Sequence, residues 1–293
     1  MSESDNCAPL RLASGCKINL YLKITGVRQD GYHLLESLFL PLSAPSDTLV
    51  ISPGSRSKLT FRCDDPSIPQ KGNTICMAYS AFSAKTGFSP PLDVLLYKKV
   101  PHGAGLGGGS ANAAVMLLHL ATLALKAGIS IDTPSLSSLA ASIGADVPYF
   151  LVNKPALVSG IGDVIKEIAN PLPGWHLVLV CPPLHVSTAW AFAAWDKKNN
   201  KKDASLSLTT PRDLDTKPIV HGWCVENNLC AVVFEQHPEL RHIVLQLQKL
   251  GADAASMSGS GSSLFGLFKD GETAEHAFRV LGQTGLAVFH HVL

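Results

Sequence analysis

Five glycines lie within seven consecutive positions, Gly103 to Gly109, directly before a segment rich in Ala and Leu. Glycine adopts positive φ without strain and lets backbone N–H groups approach a ligand closely. The first N–H groups of a following helix are unpaired and add positive potential. The pattern therefore predicts an anion-binding loop with phosphate as its ligand. A flexible linker or a helix C-cap is the alternative, although linkers rarely run straight into a helix.

Two familiar phosphate loops do not fit this stretch. Gly103-x-Gly105-x-x-Gly108 matches the dinucleotide fingerprint, but no Asp or Glu follows between Ser110 and Ile131 to hold a ribose. A P-loop has Lys and then Ser or Thr after its last glycine, whereas Ser110 follows Gly109 here without a lysine. A cationic side chain for the phosphates must therefore come from elsewhere in the chain.

Two charged residues are candidates for chemistry beside such a loop. Lys17 lies in a mainly apolar segment, residues 16–20, where a lysine either reaches solvent or meets an anion. Asp146 lies between Gly144 and Pro148, where a turn or helix N-cap role is the alternative. An acid and a cation are what a phosphoryl-transfer site adds to a phosphate loop.

The elements that would position these residues begin with strands. Residues 16–24 and 32–40 alternate apolar and polar side chains, and Asp30-Gly31 is typical of a turn between them. A helix is predicted over 74–86 with Gly87 at its end, followed by a strand over 92–99. The next helix, 110–127, ends at Gly128 and is apolar nearly all round, so we expect it inside the protein.

A further helix begins at Thr133 as N-cap with Pro134 at the first helical position, and ends at Gly144, which leaves Asp146 on a turn. The prolines and glycine of 170–174 indicate a domain boundary. Beyond it, the pattern predicts a strand over 175–181, helices over 187–195 and 238–250, paired strands over 252–258 and 262–268, a helix over 273–281 and a strand over 286–293. This order is typical of a ferredoxin-like sandwich. We expect an α+β protein of two domains, residues 1–168 and 169–293.

Composition limits the classes of function. The 293 residues carry a net charge of +1, which gives no attractive field for nucleic acid or an anionic membrane. The basic residues within 197–202 indicate a solvated loop, and the apolar run 113–125 is too short for a bilayer. Seven cysteines without CxxC spacing favour reduced thiols that serve packing. Residues 1–10 show no signal or transit pattern, so we expect a cytoplasmic location.

Longer strings carry a family resemblance. Pro101-x-Gly103-x-Gly105-Leu106-Gly107-Gly108-Gly109-Ser110 and Met257-Ser258-Gly259-Ser260-Gly261-Ser262-Ser263-Leu264-Phe265-Gly266 resemble two motifs of the GHMP superfamily of small-molecule kinases. Lys17-Ile18-Asn19-Leu20, Gly31-Tyr32-His33 and Gly144-Ala145-Asp146-Val147-Pro148-Tyr149-Phe150 are similar to the branch that acts on a cytidine-diphosphate-linked methylerythritol. That branch phosphorylates the 2-hydroxyl of its substrate with ATP in the non-mevalonate route to isoprenoids.

The resemblance implies a ribosomal-protein-S5-domain-2-like N-terminal domain and a ferredoxin-like C-terminal one. It implies ATP and Mg²⁺, with Lys17 and Asp146 as the catalytic pair. The substrate residues would be Asn19, Tyr32, His33 and Phe192, with Trp190 as second choice for stacking on cytosine. The ATP phosphates would meet the loop itself, namely Pro101, His102, Gly103, Ala104, Gly105, Leu106, Gly107, Gly108, Gly109, Ser110 and Ala111. Asn73 is a weak candidate for an adenine contact.

Two positions depart from the branch's pattern. Asn228 stands where relatives usually carry Asp, and Ala111 replaces a common serine. Two alternatives stay open: another kinase of the superfamily, acting on homoserine, mevalonate or a sugar, and a non-catalytic relative that keeps the fold. The Gly31-Tyr32-His33 segment argues against the first, and the presence of both Lys17 and Asp146 argues against the second. We expect a monomer or homodimer, with a small molecule as partner and neither nucleic acid nor membrane.

Overall fold

A computed structural model describes residues 8–55, 58–199, 219–220 and 223–293. The protein has the predicted α+β composition. Its chain forms two compact units, one from the described residues of 1–16, 43–100 and 108–153, the other from 17–42, 101–107 and the described part of 154–293. The predicted domain limits, 1–168 and 169–293, differ from these units in where they assign 17–42, 101–107 and 154–168, and stay a prediction.

The first unit combines strands with four helices. Strand β2 pairs antiparallel with β4, and β3 pairs parallel with β4. Strands β1 and β2 extend from this unit into the second one. The elements are β1 (Leu10–Val27), β2 (His33–Pro53), β3 (Thr60–Cys63), α1 (Thr74–Thr86), β4 (Leu92–Tyr97), α2 (Gly108–Lys126), α3 (Thr133–Ile143) and α4 (Val147–Val152).

Local capping chemistry explains the helix ends. Helix α1 has the predicted bounds, because Asn73 Oδ1 accepts a hydrogen bond from Ile75 N–H at 3.0 Å and Gly87 takes φ of 73°. The N-cap predicted for α3 is wrong by one residue. Asp132, not Thr133, accepts from Ser135 N–H, and hydrogen bonds from the side chain and then the backbone of Ser135 lower the pKa of the Asp132 carboxyl.

Helix α2 begins at Gly108, two residues before the predicted start. Within the described chain it is the one helix long and apolar enough to cross a membrane by length and composition. It packs against α1, α3 and α4, so a core position accounts for that composition. Its outer face is more exposed than we predicted, since 41% of Leu118 and 67% of Leu125 are accessible.

The second unit contains a four-stranded antiparallel sheet in the order β10-β11-β7-β12. Numbered along the chain, those strands follow the order 2-3-1-4, which is the predicted ferredoxin-like arrangement. Strand β2 also pairs with β5, and β5 with β6, both antiparallel. The elements after α4 are β5 (Ala156–Gly160), β6 (Val164–Glu167), β7 (His176–Cys181), α5 (Thr188–Lys198), β8 (Ile219–Val220), β9 (Trp223–Cys224), α6 (Cys230–Gln236), α7 (Pro238–Lys249), β10 (Ala254–Met257), β11 (Leu264–Phe268), α8 (Gly271–Gly282) and β12 (Ala287–Val292).

Two sequence expectations concern the cysteine thiols and the basic residues within 197–202. Burial raises the pKa of the Cys181 and Cys230 thiols to about 11, which fits the predicted packing role of cysteine. The predicted basic loop is wrong for Lys197 and Lys198, which form the last turn of α5, because that helix runs three residues beyond its predicted end. Positions 200–202 lie outside the described residues.

A buried ion pair fixes the segment before the glycine loop in the first unit. Asp47 is 0% exposed, and its Oδ2 lies 2.8 Å from both Lys98 Nζ and Asn112 Nδ2. Its Oδ1 accepts hydrogen bonds from the backbone N–H groups of Lys99 and Val100 at 2.7 Å. Since Val100 precedes the loop and Asn112 lies in the first turns of α2, one carboxylate anchors the two chain segments that flank the loop.

We therefore expect Asp47→Asn to lower the free energy of unfolding by about 3 kcal/mol or more, because removal of one partner leaves the Lys98 charge buried. Urea denaturation of the full chain measures this change. The double variant Asp47→Asn with Asn112→Asp exchanges amide and carboxylate and should recover at least half of the loss. Equal loss in the single and double variants would contradict the ion-pair explanation.

Candidate functional site

Three of the five loop glycines use the conformation for which glycine was expected. Gly103, Gly105 and Gly107 have φ of 64°, 74° and 71°. At Gly105 a Cβ would also lie 2.1 Å from the carbonyl oxygen of Ser258, so a side chain has no room. Gly108 and Gly109 are helical instead, and a Cβ on Gly108 would lie 2.7 Å from Val100 Cγ1.

Hydrogen bonds hold this loop by its carbonyl oxygens. Ala104 O accepts from Ser263 N–H at 3.1 Å, and Leu106 O accepts from Lys17 N–H at 2.9 Å. Gly105 O accepts from Lys17 Nζ at 3.2 Å and from Ser258 Oγ at 3.0 Å. A loop held by its carbonyl groups keeps its N–H groups for a ligand, which is the geometry of an anion-binding nest.

Ser258 connects the loop to the strand that carries Lys17. Its hydroxyl is fully buried, accepts from Asn19 N–H at 3.1 Å and donates to Gly105 O. Gly259 lies beside the same contact, because a Cβ there would be 3.2 Å from both Asn19 Oδ1 and Gly105 O. The second glycine motif therefore supports the first one.

Lys17 is 4% exposed and reaches this contact from β1. Its Nζ donates to Asn19 Oδ1 at 2.6 Å and lies 4.7 Å from the ring centroid of Phe39. Oxygen dipoles and the negative face of an aromatic ring are both attractive partners for an ammonium group. The ammonium group is thus held beside the glycine loop, as a loop without its own lysine requires.

Both polar atoms of the Asn19 side chain are hydrogen-bonded within the protein. Its Oδ1 accepts from Lys17, and its Nδ2 donates to Ser37 Oγ at 2.9 Å, which in turn donates to Tyr21 O. In the structure Asn19 therefore orients Lys17. The predicted contact of Asn19 with a pyrimidine stays a prediction.

Asp146 and Ser110 are brought near each other in the first unit. Asp146 occupies the N-cap position of α4, but its side chain makes no capping hydrogen bond to that helix within the described residues. Two residues earlier, a Cβ on Gly144 would lie 3.9 Å from Ser110 Oγ in the first turn of α2. Burial, and next the negative charge of Asp146, raise the pKa of the neighbouring Tyr149 hydroxyl. The turn that carries Asp146 thus lies close to the N-terminus of α2.

His33 and Phe192 also come together, this time in the second unit. Their ring centroids are 4.6 Å apart, with a tilt of 32°. Tyr32 is 62% exposed beside them on the chain. Trp190 instead lies edge-on to His237, with centroids 6.1 Å apart. Of the two aromatic candidates, Phe192 is the one beside His33.

Comparison with known proteins identifies the family of this chain. Residues 73–154 match the model for the GHMP kinases N terminal domain, and residues 223–286 match the GHMP kinases C terminal model. A 4-diphosphocytidyl-2-C-methyl-D-erythritol kinase from Nitratidesulfovibrio vulgaris strain Hildenborough is 46% identical over 96% of this chain and 98% of its own. The chain belongs to the 4-diphosphocytidyl-2-C-methyl-D-erythritol kinase family. It is an ATP-dependent small-molecule kinase.

Two further proteins support this placement. The relative of the same name from Oleidesulfovibrio alaskensis is 42% identical over 96% of this chain and 98% of its own. A crystal structure of 4-(cytidine 5'-diphospho)-2C-methyl-D-erythritol kinase superposes with a TM-score of 0.76 at 30% identity, covering 96% of this chain and 98% of that one. The homoserine kinase of Cytophaga hutchinsonii, with a TM-score of 0.65 and 16% identity over 100% of this chain and 96% of its own, shares the fold.

The structure also accounts for one departure of this kinase from its family. Asn228 Oδ1 accepts from Ile24 N–H of β1 at 2.8 Å, which an aspartate could do equally well. Its Nδ2 donates to Glu226 Oε1 at 2.9 Å, which an aspartate could not do. The amide therefore keeps the support of β1 without placing a second carboxylate beside Glu226. Nothing in the structure explains Ala111.

Sequence reasoning missed several residues that support the site of this kinase. The sequence places Ser258 in a glycine motif but does not indicate its hydrogen-bond partners. No sequence pattern singles out Asp47, Ser37 or Asp196. The role of Asn227, which precedes Asn228 in the chain, was not predicted either. Its Nδ2 donates to Met257 O at 2.8 Å and to Gly259 O at 2.7 Å. All these contacts join distant chain segments, which a single sequence does not reveal.

We expect Ser258→Ala to lower kcat/KM for ATP about tenfold or more in this kinase. The change leaves the buried N–H of Asn19 without its acceptor and releases Gly105 O, and each such loss costs about 1–3 kcal/mol. Steady-state kinetics with varied ATP measures the effect. Ser256→Ala, two residues earlier in β10 and with a thiol contact at 3.8 Å, is the control and should stay near wild type. Equal kinetics of both variants would show that the hydroxyl bridge is dispensable.

Proposed function

We propose that this kinase transfers the γ-phosphoryl group of ATP to the 2-hydroxyl of 4-diphosphocytidyl-2-C-methyl-D-erythritol, in the non-mevalonate route to isoprenoids. The names of relatives that are 46% and 42% identical over 96% of the chain support this substrate. The observation that carries the chemistry is the glycine loop held by its carbonyl oxygens beside the Lys17 ammonium.

The loop would bind the polyphosphate. Backbone N–H groups of residues 101–107 and of the first turn of α2, Gly108 to Ala111, offer donors at a helix N-terminus. Pro101 lacks an N–H and would set the entry of the chain instead. His102 stacks on His185 with centroids 5.8 Å apart, at the outer side of the loop. Asn73 Oδ1 caps α1, and its backbone N–H and C=O are hydrogen-bonded to Gln70 and Met77, so an adenine contact there would come from its Nδ2.

Asp146 would act as the general base. The substrate oxygen attacks the γ-phosphorus while the bond to the β-phosphate oxygen breaks, its proton passes to the Asp146 carboxylate, and ADP leaves. Lys17 would keep that carboxylate ionised, because an opposite charge lowers a carboxyl pKa, and would neutralise charge on the group in transfer. The position of Asp146, half-buried at the N-cap of α4, supports this role.

Mg²⁺ fits the residues of this site as a partner of ATP rather than as a resident ion. The described residues contain no group of three or more His, Cys, Asp or Glu that could hold a metal. Mg²⁺ commonly needs one or two protein oxygens beside phosphates and water, and Ser110 and Asp146 offer a hydroxyl and a carboxylate. Bound there, it would neutralise phosphate charge.

Tyr32, His33 and Phe192 would form the cytidine pocket, with Asn19 at its border. An imidazole offers hydrogen bonds to a base edge, and an aromatic ring offers a stacking surface. The pair of rings formed by His33 and Phe192 supports this assignment. We further propose a cytoplasmic monomer or homodimer with domains 1–168 and 169–293, acting on a small molecule without nucleic acid or membrane.

ADP release from ATP and Mg²⁺ over a panel of alcohols tests the substrate. We expect turnover with the cytidylyl-methylerythritol and none with homoserine, mevalonate or galactose. Turnover of one of the others in its place would overturn the proposal. No turnover with any, while ATP binds, would favour the non-catalytic alternative.

Asp146→Asn should reduce kcat by about 100-fold or more, since a general base contributes roughly 10²–10⁴. ATP affinity should change little, as measured by calorimetry on the same preparation. Asp132→Asn, which keeps an N-cap on the same unit, is the control for loss of a carboxylate. Near-normal kcat for Asp146→Asn would remove Asp146 from the base role.

Phe192→Ala should raise KM for the cytidylyl substrate by about tenfold or more, because base stacking is worth about 1–3 kcal/mol. The KM for ATP should stay unchanged. Trp190→Ala, on the same helix, is the matched control and should leave both constants near wild type. The reverse pattern would move stacking to Trp190.

A further inference from the structure

The His33 ring is fixed by three side chains of one helix. Phe192, Trp195 and Asp196 are three and four residues apart, so they lie on the same face of α5. Phe192 covers one side of the ring, and Trp195 meets it edge-on at 6.1 Å and 84°. Asp196 Oδ1 lies 2.8 Å from His33 Nε2, with both side chains largely buried. The ring therefore has one defined orientation.

The chemistry of Asp196 decides which nitrogen of His33 carries the proton. An ionised carboxylate is an acceptor only, so the 2.8 Å contact requires an N–H at Nε2. In the neutral ring the other nitrogen, Nδ1, is then a bare acceptor. No residue in the described part of the chain makes a hydrogen bond to Nδ1. Nδ1 is the atom of this ring that remains for a ligand.

We propose that Asp196 is a positioning residue for base selection: it holds His33 as the Nε2–H tautomer, so that Nδ1 accepts the 4-amino N–H of cytosine. This inference rests on the proposed function for its ligand. Uracil has a carbonyl oxygen at the same place, and two acceptors facing each other repel. The site would thus favour a cytidine over a uridine nucleotide by about 10- to 100-fold, the cost of an unpaired buried acceptor.

Two measurements on the full chain test this role. The first is ¹⁵N NMR of histidine-labelled protein, with the His33 signals assigned by their loss in His33→Gln. The second is calorimetric affinity for cytidine 5′-diphosphate and uridine 5′-diphosphate. The variants are Asp196→Ala and Asp196→Asn. The control is Glu235→Ala, which removes a carboxylate of α6 that lies 2.8 Å from Lys198 of α5.

We expect wild type and Glu235→Ala to show a protonated Nε2 and a bare Nδ1, with the cytidine nucleotide preferred. Asp196→Ala should show mixed tautomers, about tenfold weaker binding of the cytidine nucleotide and a smaller preference over uridine. Asp196→Asn keeps a hydrogen-bond acceptor at this position and should restore much of the affinity for the cytidine nucleotide and of the preference over uridine. The KM for ATP should be unchanged in all variants, which separates this role from a general loss of folding.

The outcomes separate this inference from the proposed function. A proton on Nδ1 in the wild type, as the other tautomer or the imidazolium, would overturn the inference. The inference would also be overturned if Asp196→Ala kept both the wild-type tautomer of His33 and a clear preference for the cytidine nucleotide. The proposed function would stand in that case. If the tautomer responds to Asp196 but wild type does not prefer the cytidine nucleotide, the cytidine substrate itself is overturned, and with it the assigned ligand of Nδ1.

Discussion

The hydrogen bonds of the Ser258 hydroxyl are the contact on which the nucleotide loop depends. This hydroxyl joins Asn19 N–H to Gly105 O, and so connects the strand of Lys17, the glycine loop and the second glycine motif. Close approach of these backbones leaves no space for a Cβ at Gly105. Because buried carbonyl groups must be paired, the loop turns its carbonyl oxygens toward donors of Lys17, Ser258 and Ser263.

Lys98 and Lys17 both have buried side chains, and each fixes a different part of the chain. Lys98 is paired with the carboxylate of Asp47, which suits a structural role in the chain beside the loop. Lys17 contacts the oxygens of Asn19 and Gly105 and the ring of Phe39. These contacts hold the ammonium group beside the glycine loop.

Local chemistry explains why part of this fold could be predicted from the sequence. Helix α1 has its predicted bounds because Asn73 and Gly87 cap it through neighbouring residues. The order of strands and helices after residue 175 also predicted the ferredoxin-like sheet. The predicted N-cap of α3 was wrong because hydrogen bonding decides between the adjacent residues Asp132 and Thr133. The predicted bounds of β1 and β2 were too short because strand length depends on pairing with other strands.

The sequence by itself determined the family and the chemical parts, because glycine spacing and the strings around Lys17, His33 and Asp146 are local patterns. Tertiary structure decided the partners. Asp196 with His33, Ser258 with Gly105, and Asp47 with Lys98 are separated by 163, 153 and 51 residues along the chain. Hydrogen bonds over such separations depend on how sheets and helices pack, and no local pattern records that packing.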